Sequence, residues 1–201
     1  RKLGTDFTGE LNGNVPSSEF YDKAYRGRWN GLTVISLSIG QGELGCTPLQ
    51  MANMVATVAN RGHYRTPHVV KRIHDRDSID ARVDARWFEP IVEGMYQAVN
   101  GGGTGRIAMV PGLDICGKTG TAQNPHGADN STFFCFAPRN NPKIAVSVYI
   151  ENGGFGATVA APIASLLTEL YLTDTIQRAP LVEYVKNKQI AYPYYERQQR
   201  K

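Results

Sequence analysis

Three extended segments crowded between Asp114 and Glu151 constrain this chain more than any other feature. "DICGKTGTAQ" alternates small, apolar and β-branched residues, and "STFFCFAP" is aromatic and bounded by turn formers. "KIAVSVYIE" sets Ile144, Val146, Val148 and Ile150 on one side of a strand. The links "NPHGADN" and "RNNP" consist of turn residues. A parallel return needs a crossover of about a dozen residues, so these strands are predicted to be antiparallel neighbours.

Helical patterns flank them. In "TPLQMANMVATVANRG", Thr47 is an N-cap, Pro48 opens the helix, Gln50 completes a capping box and Gly62 ends it. Its residues Leu49, Met51, Ala52, Met54, Val55, Ala56, Val58 and Ala59 predict a largely buried helix. "PIVEGMYQAVNG" starts at Pro90 and places Ile91, Met95 and Val99 on one face, with Val92 and Tyr96 alongside. "AAPIASLLTELYL" carries Ile163, Leu166, Leu167 and Leu170 at helical spacing. "HVVKRIHD" reads as a short strand, residues 1 to 33 as loop, "GGGTG" as a flexible connector and "YPYYERQQRK" as a solvated end. The expected class is α+β, an antiparallel sheet flanked by helices.

Composition excludes little. With 41% hydrophobic and 20% charged residues, disorder is not expected. The net charge of +4 suits an anionic partner, but no basic cluster interleaved with aromatics speaks for nucleic acid. No apolar run approaches the roughly 20 residues that span a bilayer. Cys46, Cys116 and Cys135 are expected as buried thiols. Four histidines without ligand spacing give no metal site, and no cofactor is expected.

"GLDICGKTGTAQ" fits two chemistries at once. Gly112, Gly117, Lys118 and Thr119 match the phosphate-cradling G-x-x-x-x-G-K-[ST] loop. That loop must open a helix at Lys118, yet Gly120, Pro125 and Gly127 stand where the helix would run. Lys118, Thr119 and Gly120 also form K-T-G, one of three motifs of serine enzymes acting on peptidoglycan peptides and β-lactams. This chemistry needs an edge strand. Lys118 would bring a positive charge over a cleft, and the Thr119 hydroxyl could donate to a substrate carboxylate. Gly120 would admit another backbone or ligand, and the Thr121 N–H would be free for an oxyanion.

"TGELNG" (Thr8 to Gly13), "LSIGQGELGCTPLQMANMVATVANRG" (Leu37 to Gly62) and "GKTGTAQ" (Gly117 to Gln123) resemble the class B penicillin-binding proteins in order and spacing. "SIGQG" followed by "TPLQMA" is most similar to the elongation-type branch, that of penicillin-binding protein 2. The resemblance implies a partial penicillin-binding protein/serine β-lactamase-like transpeptidase fold, with an acyl-enzyme on the serine of an S-x-x-K motif. It implies Lys118, Thr119 and Gly120 as the third, catalytic motif, with Thr119 and Thr121 binding substrate. The implied ligands are the D-Ala-D-Ala stem peptide and β-lactams. The implied setting is the periplasmic face of the bacterial inner membrane, in a parent anchored by an N-terminal helix. Its implied partner is a membrane glycosyltransferase of the elongation machinery. Gln41, His63 and His68 read as wall rather than chemistry.

One departure stands out. The serines are Ser17, Ser18, Ser36, Ser38, Ser78, Ser131, Ser147 and Ser165; none has lysine three residues on, and none has asparagine two residues on. The nucleophile and the second motif, S-x-N, are absent from these 201 residues. The expectation is that residues 1–175 are the C-terminal part of a transpeptidase domain, with a polar tail over 176–201. Such a piece would be inactive alone. A β-lactam sensor domain, a class D β-lactamase and, more remotely, a P-loop nucleotidase are the alternatives.

Overall fold

The computed structural model describes residues 2–70 and 77–190. In chain order the elements are α1 (Ser18–Tyr25), α2 (Gly31–Ser38), α3 (Pro48–Ala59), β1 (His63–Tyr64), β2 (Ile79–Asp80) and α4 (Phe88–Asn100). There follow β3 (Cys116–Ala122), β4 (Asn130–Ala137), β5 (Ile144–Ile150), α5 (Ala160–Thr173) and α6 (Ala179–Lys186).

The predicted strands form one antiparallel sheet in the order β3–β4–β5. Its register pairs Thr119 with Phe133 and Thr121 with Ser131, then Cys135 with Val146 and Ser131 with Ile150. Because side chains alternate across a strand, each face acquires its own core. On one face Phe133, Cys135, Ala137 and Val148 pack with Val99, Ile115 and the alanines Ala160, Ala161 and Ala164 of α5. On the other, Cys116 and Phe136 pack with Val55 and Ala59 of α3 and Val92 and Met95 of α4. The sheet is thus sandwiched between α5 and the α3–α4 pair. Burying a side chain such as Phe133 or Phe136 stabilises by about 1.5–3 kcal/mol.

Several expectations shift. The capping box of α3 forms as predicted, with Thr47 and Gln50 bonding each other's backbone N–H. Yet only Val55 and Ala59 are fully buried there, and Met54 is exposed. In α4 the buried stripe is Phe88, Val92, Met95 and Val99, so Ile91 points outward. The helix starts two residues before Pro90, extending a short 3₁₀ turn at Ala85–Trp87. In α5 the small residues face the sheet, while Leu167 and Leu170 are nearly half exposed. A methyl-sized surface lets a helix approach a sheet closely, so alanines outcompete leucines for that face.

The expected loop over 1 to 33 contains α1 and the start of α2. Ser17 caps α1 by accepting from the Phe20 N–H, and Asn30 caps α2 by accepting from the Leu32 N–H. Both helices are eight residues long, too short for a sustained period to show. The strand expected at "HVVKRIHD" is not formed by His68–Val70, and residues 71–76 lie outside the described residues. The extended pairing falls instead between His63–Tyr64 and Ile79–Asp80. The stretch "YPYYERQQRK" also lies outside the described residues, but the segment before it forms α6. There Arg178 pairs with the buried Glu169 of α5 at 2.8 Å, and the Tyr184 hydroxyl donates to the Thr158 carbonyl. Among the described residues no helix is long and apolar enough to cross a membrane.

Candidate active site

Strand β3 is an edge of its sheet, and the K-T-G residues occupy its middle. Lys118 is exposed and turns its Nζ back to the Thr119 carbonyl, 2.8 Å away. The Thr121 carbonyl accepts from Gln41 Nε2 at 3.2 Å. Both carbonyls therefore face away from β4. In an antiparallel strand the N–H and C=O of one residue point the same way, so the Thr121 N–H also faces the open side. An ammonium, a hydroxyl-bearing residue and a backbone donor lie along one unpaired edge.

Gly120 is held by close approach. A Cβ built on it would stand 2.6 Å from Thr132 Cγ2. From the loop after β5, Gly156 closes on the same point; its own Cβ would come within 2.4 Å of the Gly120 and Thr132 carbonyl oxygens. The Gly156 N–H reaches Thr121 Oγ1 at 3.4 Å. Here the space left by a missing side chain serves a second backbone, as expected of a glycine in a strand. The β3–β4 turn is tied down as well. Asn124 receives no free swing, because its N–H donates to Asp129 and its side chain to Asn152.

Two neighbours were not singled out as chemistry by the sequence. Gln41 sits between Gly40 (φ 77°) and Gly42 (φ 69°), and its N–H donates to the Ser36 carbonyl. This left-handed turn off the end of α2 aims its side chain at β3, so Gln41 is a wall residue bonded directly to the candidate strand. The signal was present: one polar residue bracketed by glycines just after a helix. Glu43, two residues on, accepts from the hydroxyls of Tyr21 and Tyr25 and anchors α1 to the same turn. Those bonds, Tyr25 first, hold the Glu43 carboxyl below the usual carboxylate range. The second neighbour is Thr104, whose hydroxyl lies 2.8 Å from that of Thr119.

His63 pairs with Asp80 across β1 and β2, and His68 Nδ1 lies 3.3 Å from the Thr66 carbonyl. A cavity of about 520 Å³ adjoins the site at Thr104 and is lined also by Arg106, Ile107, Thr158 and Tyr184. None of Lys118 to Thr121 lines it. Cys116 and Cys135 are buried thiols as expected, and burial pushes each up to about 12, far from a reactive thiolate. Cys46 is exposed, against expectation. The phosphate-loop alternative fails on the backbone, since Lys118 lies inside a strand and no helix opens there.

Comparison with known proteins agrees with this architecture. The family described as the penicillin-binding protein transpeptidase domain matches residues 1–169. The chain is 35% identical over 208 residues to the peptidoglycan D,D-transpeptidase MrdA of Haemophilus influenzae, covering 90% of this chain and 31% of that protein. Among solved structures, Pseudomonas aeruginosa PBP2 superposes with a TM-score of 0.74 at 35% identity, covering 92% of this chain and 42% of that one. PBP2 of Helicobacter pylori, solved in complex with MreC, superposes with a TM-score of 0.77 at 25% identity, covering 87% of this chain and 34% of its own. The chain spans about a third of the length of the curated relatives it matches. A three-layer α+β sandwich, an edge strand bearing K-T-G and these matches lead to one conclusion: this chain belongs to the penicillin-binding protein transpeptidase family, in its PBP2-like class B branch.

Proposed function

We propose that the chain is the third-motif half of a serine-type peptidoglycan D,D-transpeptidase, which joins stem peptides through an acyl-enzyme and is acylated by β-lactams. The observation that carries this is the open edge of β3, where the Lys118 ammonium, the Thr119 hydroxyl and the outward-facing N–H of Thr121 lie in a row. Lys118 draws the D-Ala-D-Ala carboxylate electrostatically and favours proton movement at a serine supplied by the rest of the protein. Thr119 donates to that carboxylate, and the Thr121 N–H stabilises the tetrahedral oxyanion. Gly120 lets the Gly156 backbone close on the strand, which holds the Thr121 end of the row in place. Residues 1–175 belong to the transpeptidase domain, and 176–201 follow it.

The relatives support the cellular setting. They are named peptidoglycan D,D-transpeptidases rather than sensors or lactamases, and the Helicobacter pylori relative was solved with MreC. By analogy the parent works at the periplasmic face of the inner membrane, anchored there and paired with the elongation machinery and its membrane glycosyltransferase. The 201 residues alone do no chemistry, because preorganised donors cannot replace a missing nucleophile. The test uses fluorescent penicillin and denaturing electrophoresis. The full-length protein should be labelled and its Lys118→Ala form labelled far more slowly, with an unchanged melt. The 201-residue chain should stay dark. Normal labelling of Lys118→Ala, or a labelled band from the short chain, would overturn the assignment.

A further inference from the structure

Thr104 belongs to no motif, yet it makes the one described side-chain bond to the Thr119 hydroxyl. Its position is fixed with unusual tightness for a "GGGTG" segment. A Cβ on Gly103 would stand 2.6 Å from Ala98 Cα and 2.8 Å from the Ala98 carbonyl oxygen. The Gly105 N–H donates to that same carbonyl at 2.8 Å. Gly105 is buried, and a Cβ there would press on Phe133 and Val99 at 3.3 Å. The glycines therefore let the loop wrap the last turn of α4, instead of serving as a slack connector. That turn is itself bound to the sheet, since Asn100 Nδ2 donates to the Ile115 carbonyl at 2.8 Å, one residue before β3. Asn100 and Thr104 thus hold α4 and β3 together at two points, Ile115 and Thr119.

We infer that Thr104 is a positioning residue that orients the Thr119 hydroxyl to donate its proton to a carboxylate. A hydroxyl has one proton to give and two lone pairs to accept with. When Thr119 donates to Thr104, its lone pairs face the groove and repel an anion. When Thr104 donates to Thr119, the Thr119 proton is released toward the groove. A bound carboxylate selects the second arrangement, giving a chain Thr104 to Thr119 to carboxylate in which each bond polarises the next. Lys118 contributes from the other side, because its ammonium on the Thr119 carbonyl holds the strand backbone at the same residue.

This inference rests on the carboxylate role proposed for Thr119, and the experiment separates the two. Full-length protein is acylated with benzylpenicillin and with its methyl ester, which lacks the carboxylate charge. Wild type should prefer the acid. Thr104→Val keeps the shape and removes the hydroxyl; it should weaken the binding constant for the acid roughly threefold to tenfold, the worth of one hydrogen bond. The limiting acylation rate and the reaction of the ester should change little, and Thr104→Ser should restore the acid. Adding Thr104→Val to Thr119→Val should cost nothing further, since one acts through the other. If Thr104→Val slows acid and ester alike, leaves the acid untouched, or adds in full to Thr119→Val, the inference is wrong while the role of Thr119 stands. If Thr104→Val fails to fold, Thr104→Ala set against Thr104→Ser decides on the same readouts. A wild type indifferent to the ester removes both.

Discussion

Helices α2 and α5 are both strongly apolar, and the chain treats them oppositely. Helix α5 packs Ala160, Ala161 and Ala164 into the core of the sheet, sets Thr168 beside Cys135, and buries Leu166, Ser165 and Glu169 as well. Helix α2, "GLTVISLS", buries nothing; Leu32 is 73% exposed and Ile35 60%. Apolar content alone therefore does not decide burial. An opposing face does, and α5 has the sheet while α2 has none among the described residues. The same contrast extends to whole layers. Helix α3 and residues 88–173 together carry both cores, whereas α1 and α2 are joined to them through polar links at Glu43 and Gln41.

The largest blow should fall on the face that makes α5 different. Phe133→Ala empties a wholly buried position between the sheet and α5 and should cost about 3–5 kcal/mol in a denaturant melt. If it costs no more than a surface change, the sheet is not what holds α5. Next comes the outer end of α5. Glu169→Ala removes the acceptor of both the Gln177 N–H and Arg178 Nε and leaves the guanidinium unpaired. A loss of about 3 kcal/mol is expected, with amide exchange rising first in α6.

The links between the layers are weaker. Gln41→Leu deletes the bond to the Thr121 carbonyl and should cost about 1 kcal/mol, while slowing acylation of the full-length protein several-fold through a loosened strand end. Unchanged kinetics would reduce Gln41 to packing. Glu43 offers a pH test. Its folded pKa is lowered, so its contribution is complete above the ordinary value of 4.5 and disappears as pH falls through the folded value. Tyr21, raised to about 12 by burial and then by Glu43, contributes fully below 10.0 and loses that contribution as pH rises through about 12. Glu43→Gln should flatten the acid limb of a melting curve followed by Tyr21 or Trp29 fluorescence. An unchanged acid limb would mean that Glu43 does not tie α1 down. The smallest effect is expected in α2 itself, where Ile35→Ala should stay within about 0.5 kcal/mol. A larger loss in this chain would show a hidden face for α2 and dissolve the contrast.

Legibility followed the range of the forces involved. The strands at 116–122, 130–137 and 144–150 and the capped helix at 48–59 were readable, because turn residues, period-two alternation and a capping box are local signals. The site was half readable. Lys118 to Thr121 announced themselves as a motif, whereas Thr104 and Gln41 reach β3 across 15 and 80 residues of sequence and have no spacing of their own. Helices α1 and α2 were missed for the opposite reason, being too short to show a period.

What the sequence determined by itself was an antiparallel sheet with helices before and after it, and a lysine and two threonines on one of its strands. Only the tertiary structure decided which strand lay at the edge, which helix faces were covered and where the Thr119 hydroxyl points. In α5 it chose alanines over leucines, because a helix can close on a sheet only where its side chains are small. At β3 it set Thr104, Gln41 and Gly156 around four residues, because hydrogen bonds and steric fit are settled between segments that a linear reading keeps apart.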